Sequence, residues 1–144
     1  MSRPKYESTK DLDNEKYVAS LFEKVWNCKF IKLNPTKWIV DFLIQKDDKY
    51  SWCEVKKFNA NFGKYVFMIS YKKIEAAKIL SETSGYKFII IFNCNDCVCY
   101  HVWDFEKKYK FEYGGRTMTT RDSMDIEPVF RINPSDCIRI DNNV

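Results

Sequence analysis

The 144 residues suit one domain with a substantial core, and 45% hydrophobic and 17% aromatic content, with only four glycines and four prolines, excludes a disordered or linker-rich chain. No run approaches the roughly 20 apolar residues of a membrane span, and the opening Met-Ser-Arg-Pro-Lys-Tyr-Glu has no apolar signal region, so the chain is expected to act inside a cell. The net charge of +4 is compatible with a polyanionic partner without requiring one, and six cysteines in that setting are expected to stay reduced.

Residues 1–10 are polar and expected to be loose. A helix should start near Asp11, which can cap it. Leu12, Glu15, Ala19, Phe22 and Trp26 fall at helical spacing, and Val18, Leu21 and Val25 widen the stripe. Glu15 therefore sits on the apolar face, where an acid needs a partner. The plainer reading is a glutamate near a helix start, favoured by the dipole and bent out to water.

Cys28 to Leu33 reads as a first strand, broken by Asn34-Pro35-Thr36. A hairpin follows, with strands near 37–45 and 50–57 around Asp47-Asp48. With a two-residue loop, Gln45 faces Tyr50, Leu43 faces Trp52, and Asp41 faces Glu54. Alternation then puts Ile39, Asp41 and Leu43 on one face with Trp52, Glu54 and Lys56. Opposed Cβ atoms lie roughly 4.5–5.5 Å apart, and like charges so placed destabilise a ladder. A hard divalent cation would reverse that sign, because it takes carboxylate oxygens. The competing reading is a solvated sheet face on which Lys56 neutralises Glu54.

Phe58 to Tyr65 is a polar, aromatic loop containing Gly63, and Val66 to Ile69 a short extended piece. Ser70 reads as the N-cap of a second helix, 71–84, stopped by Gly85. Tyr71, Ile74, Ala77 and either Leu80 or Lys78 supply its buried stripe, while Lys72, Lys73 and Lys78 are mostly solvated. Tyr86 to Phe92 is a near-continuous apolar run, hence a buried central strand. After a turn at 93–96, Val98 to Trp103 forms the next strand.

Cys94, Cys97, Cys99 and His101 invite a zinc reading. Against it, the last three alternate along one strand and spread about 6–7 Å per step, and buried free cysteines are common. Asp104 to Lys110 is charged, a short helix or loop. Gly114-Gly115 allows close backbone approach in the loop that follows. There Arg116 and Arg121 can fork onto phosphate oxygens, or pair with Asp122, Asp125 and Glu127. Residues 111–144 read as a carboxy-terminal extension packing on the core, with 134–140 an edge strand.

An acid on one strand followed by an acid-any-lysine triplet on the next, here Asp41 and Glu54-Val55-Lys56, resembles the signature of the PD-(D/E)XK nuclease superfamily. The proline that often precedes the first acid is replaced by Val40. The predicted order of helix, three strands, helix and two strands is similar to that superfamily's αβββαβ core. The tail, with Gly-Gly-Arg and Asp-Ile-Glu-Pro-Val, resembles that of small phage-type members, so the likeness spans Asp11 to Ile132. It implies an α/β, restriction-endonuclease-like fold: a mixed central sheet flanked by helices, in a single domain over 1–144.

The resemblance also implies a chemistry. A magnesium-dependent DNA endonuclease would hold its ion on Asp41, Glu54 and the Val55 carbonyl, with manganese able to substitute. Glu15 would serve as the further acid that helices of this family contribute, for a second metal or a metal-bound water. Lys56 would hold the nucleophilic water or phosphate oxygens. Lys72 or Lys73 stands where relatives place a basic side chain near the scissile phosphate. Lys57, Lys72, Lys73, Arg116 and Arg121 would meet the DNA backbone, which carries no sequence information. Without a recognition domain beyond the core, cutting is expected to be structure-directed, as in Holliday-junction-resolvase-like members, or weakly sequence-specific. Such members act as homodimers, for which Tyr65, Phe67, Tyr109 and Tyr113 offer exposed aromatics. The alternative function is a non-catalytic nucleic-acid-binding module or subunit of a larger DNA-processing complex.

Overall fold

Helix α1 spans Thr9–Trp26 in the computed structural model, which describes residues 9–33, 40–115 and 126–140. It starts two residues before the predicted Asp11 cap, within the ordinary latitude of a helix end. Asn27, at φ 50°, stops it in the left-handed conformation that asparagine tolerates. Val18 and Phe22 from the predicted stripe are fully buried, and the Phe22 and Trp26 rings meet edge to face with centroids 4.6 Å apart.

Strand β1 covers Lys29–Lys32, β2 Phe42–Lys46 and β3 Lys49–Lys57. The hairpin has the register derived from the two-residue loop: Gln45 opposes Tyr50 and Leu43 opposes Trp52. Asp47 takes φ 54° at its tip. Regular pairing in β2 begins only at Phe42, five residues later than predicted, because the chain bends at Val40–Asp41; residues 34–39 lie outside the described set. Strand β4, Phe67–Ser70, leads directly into α2, Tyr71–Ser84. Gly85 ends α2 at φ 80°, its N–H donating to Ser81 O, as the sequence predicts. Ser70 forms no side-chain cap; its hydroxyl instead donates to Glu127 Oε2 at 3.4 Å.

The run 87–93 is β5, with β6 at Val98–Val102. Strands β3 and β5 are parallel, so the intervening β4 and α2 form the crossover that parallel neighbours require. The segment 104–109 is a turn, Lys107 N–H donating to Asp104 O, and no helix forms there. Strand β7, Lys110–Gly115, then pairs with β8, Ile126–Ile132, and β9 is Ile138–Ile140. Gly114 and Gly115 thus lie in a strand opposite Glu127 and Ile126, correcting the predicted loop: each glycine donates and accepts backbone bonds like any other residue once a partner strand is beside it. Residues 116–125, with Arg116 and Arg121, are outside the described set.

The main sheet runs β1-β2-β3-β5-β6-β9, antiparallel except at β3–β5, and a second sheet runs β4-β8-β7. Alternation along β5 sorts the core. Ile89 and Ile91 face α1 with Val18 and Phe22, whereas Phe88, Ile90 and Phe92 face α2 and the second sheet. Phe67 of β4 stacks on Phe92 at 4.0 Å. That burial, with no exposed surface left, removes Phe67 from the exposed aromatics named above. Tyr109 is half-buried against Trp103, while Tyr65 and Tyr113 are exposed. Tyr71 is more exposed than its stripe position predicts, because its ring leans on Phe111 and Phe130 of the second sheet rather than into the core.

Ser84, in the last turn of α2, locks the helix to β3. Its hydroxyl donates to Leu80 O at 2.6 Å and accepts from Trp52 Nε1 at 2.9 Å and from Tyr86 N at 3.1 Å. Ser84→Ala strips two donors of their acceptor and is expected to cost about 1–2 kcal/mol in urea denaturation. No helix among the described residues is long and apolar enough to cross a membrane.

Candidate active site

Asp41 lies one residue before β2. It does not oppose Glu54 in the ladder as the two-residue loop predicts. The paired register ends at Phe42 against Cys53, and the Asp41 N–H also donates to Cys53 O at 3.0 Å, so that two residues meet one as in a bulge. Asp41 Oδ2 accepts from Val55 N–H at 2.9 Å. The carboxylate is thereby folded across onto β3, beside Glu54. Glu54 occupies the β3 face turned toward α2. It is 7% exposed, in the middle of a strand paired on both sides.

Burial and then the Asp41 charge push the Glu54 carboxyl up to about 7, against the downward pull of Lys73 and Lys56. Lys73 Nζ, from the first turn of α2, lies 3.3 Å from Glu54 Oε1. That is ion-pair distance, and this ammonium faces the buried carboxyl from the α2 side. Lys73 thus reaches the centre, as one of the two predicted helix-start lysines. Lys57 and Lys72 are exposed, and Lys56 is half-buried.

Glu15 is buried at 6% exposure, so it does not bend out to water. Its Oε1 accepts from Lys32 Nζ at 2.6 Å, and the same ammonium is 4.0 Å from Asp41 Oδ1. Lys32 therefore links the helix acid to the hairpin acid, and sequence reasoning missed it. The available signal was its place at the end of β1, where it opposes Phe42, the residue after Asp41. Asn93 was also missed. It is buried at the end of β5, and its Nδ2 donates to Asn14 Oδ1 at 2.6 Å, fixing the turn of α1 that carries Glu15.

The donor set fits a magnesium-type ion. Two neighbouring carboxylates, one of them buried and raised by the charge of the other, are what such an ion takes when waters and phosphate oxygens complete its shell. Among the described residues no three His, Cys, Asp or Glu side chains are grouped as a complete cage, and that ion does not require one. Cys94, Cys97, Cys99 and His101, the residues of the zinc reading, are all buried. His101 is otherwise engaged: Nδ1–H donates to Asp136 O at 2.9 Å, and Nε2 accepts from the Tyr109 hydroxyl at 2.8 Å. All six cysteines are unbridged, and burial pushes the Cys94 thiol up to about 11.

A mixed sheet with an acid-acid-lysine hairpin, a helix on each face and a crossover at the central parallel pair defines the restriction-endonuclease-like class. Residues 1–140 match the family described as "phage putative PDDEXK endonuclease", and the chain belongs to that family. By family it is therefore a nuclease. In fold it is similar to the solved structure of Hjc from Archaeoglobus fulgidus, a Holliday junction resolvase from an archaeal hyperthermophile. That likeness has a TM-score of 0.55 at 14% identity, over 89% of this chain and 92% of that one. No curated protein matches the chain in sequence.

Proposed function

We propose that residues 1–144 act as one intracellular, magnesium-dependent DNA endonuclease domain that cuts branched DNA, with manganese able to substitute. One observation carries this reading: the buried Glu54 carboxyl beside Asp41, pushed to about 7 in spite of the lysines around it. Left to itself, such a pair is a standing repulsion. Asp41, Glu54 and the Val55 carbonyl would hold the ion, which supplies Lewis acidity and a bound water of lowered pKa.

The chain's own groups have separate tasks. Lys56 sits close enough to Glu54 to lower its proton affinity, and its ammonium is assigned to phosphate oxygens or the attacking water. Lys73 steadies Glu54 from α2. Glu15, held by Lys32, keeps an acid on the α1 side for a second ion or a bound water. Lys57, Lys72, Arg116 and Arg121 are assigned to backbone phosphates. The preference for branched DNA draws on the fold likeness to a Holliday junction resolvase.

A second reading, a nucleic-acid-binding module that does not cut, is favoured by one feature: ammonium groups already stand against Glu15 and Glu54. Incubating the protein and magnesium with four-way, flap, single-stranded and linear DNA separates the two. The endonuclease reading expects internal cuts, with the four-way substrate preferred, and a solution mass of twice the monomer. Binding without cuts on every substrate would leave the non-catalytic module.

A further inference from the structure

We infer that a cleft on the second sheet, remote in sequence from the candidate centre, holds a backbone phosphate of the bound DNA. It is a small recess of about 210 Å³ where the 104–109 turn, the start of β7 and the end of β8 meet. That is below the roughly 300–1,000 Å³ of pockets for drug-sized ligands, so it suits one phosphate group rather than a whole nucleoside.

Four cations line it: Lys107, Lys108, Lys110 and Arg131. Two of them face each other, since Lys110 and Arg131 are directly opposed in the β7–β8 register. Like charges opposed on a ladder destabilise it, and an anion between them reverses the sign. Local acids offset only part of this charge. Arg131 Nε lies 3.1 Å from Glu112 Oε1, and Lys107 Nζ lies 3.4 Å from Asp136 Oδ2. Among the described residues Lys108 and Lys110 have no carboxylate partner, so two positive charges remain.

The cleft is also held in shape. Tyr109, between those two lysines, is turned inward. Its ring stacks on Trp103 at 3.7 Å, and its hydroxyl accepts from Asp104 N–H at 2.9 Å. The cleft lies on the same side of the main sheet as Glu54, because β4 pairs with β8 and then runs into the helix that carries Lys73. A duplex arm leaving the centre across β4 would pass it.

This inference rests on DNA being the substrate, and binding is measured apart from cutting. Native protein and K108A/K110A are titrated into labelled four-way DNA in EDTA over a salt series, with circular dichroism as a folding control. Losing two phosphate contacts should lower the log–log salt slope by about 2. Between 50 and 200 mM salt, native affinity should then fall about 12-fold more than that of the variant. A folded variant with native affinity and slope overturns the inference, as does a native protein with no salt-dependent DNA binding. If inorganic phosphate raises the melting temperature of native protein but not of the variant, while DNA affinity is the same for both, the occupant is a free anion and the inference is also overturned. Native binding without cleavage would instead sink the nuclease reading and leave the cleft standing.

Discussion

Asp41→Ala is expected to lower magnesium-supported DNA cleavage by roughly 10³-fold or more, equivalent to about 4 kcal/mol of transition-state stabilisation. Asp41 meets the centre in two ways. It adds negative charge beside Glu54, which is what an ion would be drawn to, and its Oδ2 fixes the Val55 N–H next to the assigned carbonyl ligand. Lys56→Ala removes a single ammonium and should cost roughly 10²–10³-fold. The lysine variant should still bind the ion, whereas the aspartate variant should not. Isothermal titration with manganese, run beside single-turnover cleavage of four-way DNA, tests both. Equal cleavage by native protein and both variants would remove these residues from the chemistry.

The second large effect is on stability against pH. With its carboxyl raised from 4.5 to about 7, folded Glu54 binds a proton more tightly than the unfolded chain does. Stability from this group is thus fully present below pH 4.5 and is lost as pH rises through 7. The full loss is on the order of 3 kcal/mol. Urea denaturation in EDTA at intervals across that window should show native stability falling relative to Glu54→Gln, which has no proton to lose there. A bound divalent cation favours the ionised carboxylate, so magnesium should flatten the native curve and leave that of the glutamine variant unchanged. A native-minus-glutamine difference that rises with pH would mean that Glu54 is not desolvated as the fold places it.

The hairpin was legible from Lys46–Lys49 to Phe42–Cys53 because a two-residue tip allows one register, and a slip by one residue would turn every side chain of β2 to the other face. Glu15 was legible for a similar reason, as an acid on an apolar stripe. Lys32 was not, since a terminal lysine on an edge strand looks solvated until α1 is laid across it. Nor was the second sheet. Phe111, Tyr113 and Phe130 lie in segments too short to show a period, and Gly114-Gly115 suggests a loop. Strand pairing there depends on β4, which meets β8 across residues as distant as Phe67 and Ile132, and no local signal carries that. The same limit hid the exposure of Tyr71, which answers to rings from the distant strands.

The three-residue strand at Ile138–Ile140 has a role out of proportion to its length. It covers the outer edge of β6, with Val98 against Ile140 and Tyr100 against Ile138. Trimming the protein before Ile138 would uncover a row of amide and carbonyl groups, backed by apolar side chains that another molecule could extend strand by strand. Shortened forms of the protein should therefore tend to clump even where the β2–β3 hairpin stays intact.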